Sequence, residues 1–234
     1  MPASWEIMAA RRNRVLISTI YPADGKVSMD WASSTARLER PLGSATFFPS
    51  GLPYHAARNA AAKATLDNGF AFLFFLDSDL LPPPNVITQL LATGRDLVGA
   101  LYFKRGAPYE PAAGMAVSTP EDAVNPVKVG PLPRFNYGDI IPVDFLPCGA
   151  TLISRRVIEA MVEAYRHPFA WGADPAFGPA IGPDGLPMPA FSEDYLFSWR
   201  AKQLGFQPWL HSGLVCNHEM TGWVGLRGLV TPER

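Results

Sequence analysis

The hydrophobic positions of the chain fall into short apolar runs separated by segments with helical spacing. Val15–Ile20 is apolar and β-branched, Ala45–Phe48 is a weaker run, and Phe70–Leu76 is apolar throughout, which is typical of a strand covered on both faces. Pro53–Asp67 repeats alanines at helical spacing and ends at Asn68-Gly69, a common helix stop. The first third of the chain therefore predicts two strands, a helix and a third strand.

The same alternation continues along the chain. We expect helices over 85–93, 155–165 and 193–204, and strands over 96–102, 150–153, 206–210 and 214–216. Strands that alternate with helices predict an α/β fold with a mostly parallel central sheet flanked by helices. The chain has 234 residues, so we expect a single domain over 1–234.

Proline and glycine concentrate in two stretches, residues 106–147 and residues 172–189. Such stretches predict long loops on a rigid scaffold. For 172–189 two interpretations stay open. The segment is a lid that closes over a bound substrate and excludes water, or it is a connector between elements.

Charge and cysteine content exclude several functional classes. The net charge of -1 gives no electrostatic footprint for non-specific nucleic-acid or membrane binding. Cys148 and Cys216 lack the spacing of a zinc site, so we expect two small buried side chains. No window approaches the roughly 18 apolar residues of a membrane helix, and no apolar stretch precedes Arg11-Arg12, so no secretory signal is expected. We therefore expect a cytoplasmic protein.

The first candidate chemistry is the tripeptide Asp77-Ser78-Asp79, which directly follows the most hydrophobic run. Open α/β sheets bind ligands beyond the carboxyl ends of their strands, and carboxylate oxygens suit Mg²⁺ and Mn²⁺. A metal held there stabilises the charge of a departing diphosphate. The competing interpretation is a solvated turn in which an aspartate caps the following helix.

Four motifs in order set this tripeptide in a wider pattern. Ala57-Arg58-Asn59 precedes the strand and its DxD, Glu193-Asp194 opens a later helix that continues through Arg200 to Gly205-Phe206, and Val215–His218 follows. Across residues 15–218 this set resembles family 2-type glycosyltransferases of the GT-A fold. The resemblance implies a donor-binding half at about 14–105 and an acceptor and catalytic half at about 140–220.

The resemblance also implies roles for single residues. Asp79 would bind the metal directly, Asp77 would contact the donor ribose or the metal through water, Ser78 would lie against the donor, and His218 would be a further ligand. Imidazole favours Mn²⁺ over Mg²⁺. For His218, a hydrogen-bonded histidine at a strand end is the alternative.

Two adjacent acids supply the implied catalysis. Asp194 would be the general base that deprotonates the acceptor hydroxyl, and Glu193 would orient the acceptor or support the site. This assignment implies direct displacement with inversion at the sugar carbon. The alternative is a pair of acids that complement the dipole of the helix they open.

The nucleotide would lie beyond the first strand, against Thr19, Tyr21 and Pro22, with Asp24 nearby and Arg58 on the diphosphate or the base. A UDP-sugar is the implied donor. The chain departs from the family where Phe47–Ser50 stands in place of a base-reading acid, which puts the identity of the base in doubt. His211 has no assigned role.

Three other functions stay open. A GT-A-like nucleotidyltransferase would carry a glycine-rich loop after its first strand, and Ile20–Gly25 is not one. A non-catalytic module that binds nucleotide sugars or glycans is disfavoured by the presence of Asp77, Asp79, Asp194 and His218. A phosphodiester nuclease would account for the carboxylates but not for the helix carrying Arg58. The acceptor is open among a glycan, a small molecule, a protein and a modified nucleic-acid base, and the compact chain resembles phage-encoded glycosyltransferases.

Overall fold

The structure is a computed structural model. It describes residues 13–20, 25–118, 127–170 and 191–220, and the backbone of the segments 173–174, 178–179, 223–225 and 228–230. The described residues form five helices: α1 (Met29–Ala36), α2 (Tyr54–Asp67), α3 (Val86–Ala92), α4 (Arg155–Tyr165) and α5 (Glu193–Gln203).

Fifteen strands lie within the described residues. In chain order they are β1 (Val15–Ser18), β2 (Ala45–Phe47), β3 (Phe72–Leu76), β4 (Leu80–Leu81), β5 (Leu97–Leu101), β6 (Met115–Ser118), β7 (Val127–Gly130), β8 (Ile140–Pro142), β9 (Ala150–Ser154), β10 (Ala173–Asp174), β11 (Gly178–Pro179), β12 (Trp209–Val215), β13 (Asn217–Glu219), β14 (Trp223–Gly225) and β15 (Gly228–Val230).

The central sheet has seven strands in the order β2-β1-β3-β9-β5-β12-β8. Strands β1, β2, β3, β5 and β12 run in one direction, while β9 and β8 run against their neighbours. A separate four-stranded sheet has the order β15-β14-β13-β4. The predicted fold class, α/β with a mostly parallel central sheet flanked by helices, is confirmed.

Helices cover both faces of the sheet, and the side chains of β3 show the alternation. Leu73 and Phe75 pack in a core with residues of α2, α4 and α5. Phe74 and Leu76 point to the opposite core, which residues of α1 and α3 complete. Because both faces are buried, β3 is apolar at every position, as a covered strand must be.

Three expectations about the elements were wrong or incomplete. Strand β9 is antiparallel to both neighbours, which its sequence does not reveal because a doubly covered strand is apolar in either direction. Residues 106–147 were expected to be loops but contain β8 and a hairpin of β6 and β7, whose strands are too exposed to give apolar runs. The two short strands predicted around 206–216 are one strand, β12, whose register shifts after His211.

Helix α1 was not predicted, because only Trp31 and Ser34 of its eight residues are buried and its sequence gives a weak apolar face. Its start is nevertheless marked in the sequence. Ser28 accepts a hydrogen bond from the Trp31 amide at 3.0 Å, as an N-cap serine does.

Candidate active site at the carboxyl edge of the sheet

The candidate site lies where β1, β3 and β5 end, since parallel strands present their carboxyl ends at one edge. Asp77-Ser78-Asp79 follows β3 directly and forms a turn before β4. Residues from α2, α5 and β13 reach the same edge.

The backbone of the DxD turn is held from three sides. The Asp77 amide donates to the Gly149 carbonyl at 2.8 Å, and the Trp31 indole Nε1 donates to the Asp77 carbonyl at 3.0 Å. The Glu219 amide donates to the Asp79 carbonyl at 2.7 Å. Contacts from α1, from the start of β9 and from β13 therefore fix the positions from which both carboxylates project. A turn that served only as a helix cap would not need these three backbone contacts. The N-cap residue of the following helix, α3, is Asn85 and not an aspartate of the turn.

Arg58 joins the two halves of the site. Its side chain is 3% exposed, its Nη2 lies 3.3 Å from Asp77 Oδ1 and its Nε lies 3.3 Å from Glu193 Oε1. Its guanidinium carbon stands 4.9 Å from the centroid of the Phe75 ring. Burial alone would lower the pKa of Arg58, but the carboxylates of Asp77, Asp194 and Glu193 raise it above its ordinary value. Arg58 is therefore a buried, charged link between the DxD turn and α5.

The two acids that open α5 have different surroundings. Glu193 is buried, and burial raises its pKa, the neighbouring Asp194 raises it further, and Arg58 opposes the rise. Asp194 is half-buried, and its Oδ1 accepts hydrogen bonds from the Ser192 hydroxyl and, at 2.8 Å, from the Tyr195 amide. Both hydrogen bonds that the Asp194 carboxylate accepts from described residues end on Oδ1, which leaves Oδ2 without a hydrogen bond from them.

His218 lies beside Asp79. Its Nδ1 is 2.8 Å from the Phe103 carbonyl oxygen, which can only accept, so the proton is on Nδ1 and Nε2 carries a lone pair. Burial lowers the pKa of His218, which keeps the ring neutral near pH 7. Its Nε2 is 3.7 Å from Asp79 Oδ2. Two acceptor atoms therefore face each other.

Arg105 supplies the positive charge between these two acceptors. Its Nη2 pairs with Asp79 Oδ2, and its Nε donates to His218 Nε2 at 3.1 Å. The Arg105 side chain is 54% exposed, so it lies at the rim of the site rather than in the core.

The pair Asp79 and His218 also fits a divalent cation. Ligands about 2.1 Å from one ion lie roughly 3 to 4.2 Å apart, a range that includes the observed 3.7 Å. The Phe103 carbonyl orients the imidazole, as outer-shell partners of metal-bound histidines do. Among the described residues no group of three or more His, Cys, Asp or Glu side chains could hold a metal ion, so the remaining ligands would come from substrate phosphates and water.

The predicted nucleotide-binding residues are only partly described. Thr19 directly follows β1, is buried and donates its amide to the Phe47 carbonyl at 3.2 Å. The hydroxyls of Ser18 and Thr19 and the Nη1 of Arg58 are buried with no hydrogen-bond partner among the described residues. Tyr21, Pro22 and Asp24 lie outside the described residues, as do the side chains of 172–189, the segment expected to be either a lid or a connector.

Three residues of the site were missed in the sequence. Trp31 lies in the unpredicted helix α1. Tyr102 was not singled out as a site residue in the sequence. In the structure its hydroxyl accepts a hydrogen bond from the Gly149 amide at 3.0 Å, and its ring packs edge-on against His218. Arg105 and Tyr102 follow β5, so the rule that ligands bind at the carboxyl ends of parallel strands would have singled them out.

Two other sequence predictions can be compared with the structure. Cys148 and Cys216 are buried and unpaired, as expected, and burial raises the pKa of Cys216 to about 12. No helix among the described residues is long and apolar enough to cross a membrane.

No protein-family model and no curated protein matches the chain. The crystal structure of A197 from STIV is similar to it with a TM-score of 0.61 and 15% sequence identity, over 94% of this chain and 95% of that chain. The two chains therefore share a fold along almost their whole length.

Two further crystal structures are similar at lower scores. TarS 1-349 of S. aureus has a TM-score of 0.45 and 12% identity, over 85% of this chain and 58% of that one. Apo UDP-glucose pyrophosphorylase has a TM-score of 0.41 and 9% identity, over 91% of this chain and 78% of that one. Likenesses at this level carry no conclusion about function.

Proposed function

We propose that the chain is a metal-dependent glycosyltransferase of the GT-A type, which moves a sugar from a nucleotide-diphosphate donor, a UDP-sugar, to an acceptor hydroxyl with inversion. The observation that carries the proposal is one cluster at the carboxyl edge of the sheet. There, the buried Arg58 links the fixed DxD turn to the acidic start of α5, and His218 lies beside Asp79 of the same turn.

Asp79 and His218 are the residues that would hold Mn²⁺ or Mg²⁺, with Asp77 contributing through water or contacting the ribose. When bound, the cation supplies positive charge that stabilises the diphosphate as a leaving group. The chain's own part is to fix the two ligand atoms, which the backbone contacts of Asp79 and the Phe103 carbonyl support.

The nucleotide would lie beyond β1. The buried, unpartnered hydroxyls of Ser18 and Thr19 and the free Nη1 of Arg58 support polar contacts there, since buried polar atoms without partners are rare in folded proteins. Ser78, half-buried at the DxD turn between the two aspartates, would contact the donor.

Asp194 is the proposed general base. Its Oδ1 is held by Ser192 and Tyr195, so the carboxylate is oriented, and Oδ2 would take the proton of the acceptor hydroxyl as the oxygen attacks the sugar carbon. Attack opposite the departing diphosphate inverts that carbon. Glu193, buried against Arg58, would support the site rather than exchange protons with substrate.

Calorimetric titration tests donor binding. We expect UDP to bind the wild-type chain in the presence of Mn²⁺ and at least about tenfold more weakly without it, because the diphosphate supplies the missing ligands. Asp79→Ala should remove this gain, while Asp67→Ala, a change at an exposed carboxylate on α2, should keep it. UDP affinity that is equal with and without Mn²⁺ would contradict the metal-dependent proposal.

A further inference from the structure

The guanidinium of Arg105 stands where the proposed cation would stand. Its Nη2 pairs with Asp79 Oδ2 and its Nε with His218 Nε2, the same two atoms assigned as metal ligands. These atoms are 3.7 Å apart and are both acceptors, because the His218 proton is on Nδ1 toward Phe103. One positive group can satisfy both, and a divalent cation and Arg105 cannot use the same lone pairs together.

Displacement of Arg105 from these ligands is physically inexpensive. Its side chain is 54% exposed and that of Asp79 is 33% exposed, so their ion pair is in contact with solvent. Exposed ion pairs contribute little to stability. Arg105 also lies outside the regular elements, in the connection that follows β5 and contains the ion pair of Lys104 with Glu110 at 3.0 Å.

A displaced Arg105 would still lie at the rim of the site and would lack an anionic partner. A donor diphosphate bound through the cation brings phosphate oxygens to that rim, and a guanidinium binds phosphate through paired, charge-assisted hydrogen bonds. We propose that Arg105 is a diphosphate-binding residue that exchanges partners: it covers Asp79 and His218 in the free protein and binds the diphosphate once metal occupies them. This inference rests on the proposed function.

The exchange of partners predicts that one substitution, Arg105→Ala, changes the affinity for Mn²⁺ and the affinity for UDP in opposite directions. Arg105→Ala removes the competitor of the metal, so we expect Mn²⁺ alone to bind roughly three- to fivefold more tightly than to wild type. The same variant loses a charge-assisted bond to phosphate, so UDP should bind about tenfold more weakly in the presence of saturating Mn²⁺. Uridine, which has no phosphate, should bind both proteins equally.

Titration calorimetry with Mn²⁺, UDP and uridine makes the measurement, with circular dichroism to verify the fold. Lys104→Ala is the matched control, since it removes an adjacent cation that pairs with Glu110 instead, and it should change neither affinity. Arg105→Gln, which keeps the length and polarity of the side chain, should reproduce the effects of Arg105→Ala.

Several outcomes would overturn the inference: Mn²⁺ affinity in Arg105→Ala equal to or weaker than wild type, unchanged UDP affinity, or an equal loss for uridine. Those outcomes leave the proposed function standing, because wild type would still bind Mn²⁺ and UDP. If wild type binds neither, the proposed function itself fails, and the inference with it.

Discussion

Arg58 is a buried cation whose partners come from both halves of the chain. It bridges Asp77 and Glu193. In its ion pair with Glu193, the Arg58 side chain is 3% exposed and the Glu193 side chain 8% exposed. Removing one partner of a buried pair is costly, because the other is left as an uncompensated charge.

We therefore expect Arg58→Met to lower the free energy of unfolding by about 3 to 5 kcal/mol, measured by urea denaturation. The double variant Arg58→Met with Glu193→Gln should lose less than the sum of the single changes, since no unpaired carboxylate remains. Arg156→Met is the matched control: Arg156 is 75% exposed where it pairs with Asp96, so the loss of free energy of unfolding should stay below about 1 kcal/mol. An equal loss at both arginines would contradict the assigned role of Arg58.

Asp194 and Glu193 are adjacent in sequence, and the structure gives them different surroundings. Only Asp194 is half-exposed, with one carboxylate oxygen held by its own helix start. Asp194→Asn should lower the turnover of sugar transfer by about 10²- to 10⁴-fold, because the amide cannot accept the proton.

Mn²⁺ and UDP should bind Asp194→Asn within about twofold of wild type, since the change affects the chemical step and not donor binding. Asp67→Asn on α2, an exposed carboxylate paired with Lys63, is the control and should turn over normally. Turnover by Asp194→Asn that matches this control would rule out Asp194 as the base.

At the scale of elements, the close approach of β9 to the DxD turn depends on Gly149. A methyl group there would come within 2.6 Å of both Leu80 Cδ1 and the Tyr102 hydroxyl oxygen. The Gly149 carbonyl also accepts the Asp77 amide, so any shift of this backbone moves the turn.

Gly149→Ala should therefore cost about 1 to 3 kcal/mol of stability and weaken UDP binding with Mn²⁺. Gly106→Ala is the matched control, because no heavy atom lies within 4 Å of its added methyl. Urea denaturation and calorimetry provide the two readings, and a Gly149→Ala protein indistinguishable from Gly106→Ala would contradict the packing argument.

Strand β12 contains a histidine whose protonation the fold opposes. Burial lowers the pKa of His211 below 6.5, and its Nδ1 accepts the Gly213 amide at 3.2 Å. The folded state therefore binds the proton more weakly than the unfolded state. Its stabilising contribution is complete above the unfolded pKa and is lost as pH falls from about 6.5 through the folded pKa.

We expect an NMR titration of the His211 ring to give a midpoint below 6.5. Unfolding free energies measured between pH 7 and pH 5 should fall on acidification, and less steeply in His211→Asn than in wild type. A midpoint at or above 6.5, or an identical pH dependence in the variant, would contradict this sign.

The elements that the sequence predicts well are those with strong, one-sided or complete burial. β3 and the DxD turn follow from an apolar run that ends in two acids, and α4 has the predicted bounds 155–165. Helix α1 and the hairpin of β6 and β7 escaped prediction because they are partly exposed, so their apolar periodicity is weak. The direction of β9 depends on the end of the sheet at which the preceding segment re-enters it. The hydrophobic periodicity of β9 does not indicate that end.

At the scale of the whole molecule, the sheet order brings residues from 58 to 218 to one edge. The sequence predicted that Asp77, Asp79, Asp194 and His218 act together, and the structure places His218 beside Asp79 and links Asp77 to α5 through Arg58. The position of Arg105 after β5 would have placed it at this edge, but its contacts with Asp79 and His218 become apparent only in the structure. The fold shared with A197 from STIV extends over 94% of the chain.

The central claim is that this edge of the sheet transfers sugars from a nucleotide donor with the help of a metal. A test of this claim also distinguishes an enzyme from a binding module. The most direct measurement is release of UDP from a panel of UDP-sugars, with and without Mn²⁺, by wild type, Asp79→Ala and the exposed-site control Asp67→Ala. We predict Mn²⁺-dependent release from at least one donor by wild type and by the control, and none above background by Asp79→Ala. Release that is independent of Mn²⁺ or unaffected by Asp79→Ala, or no release from any donor, would contradict the claim.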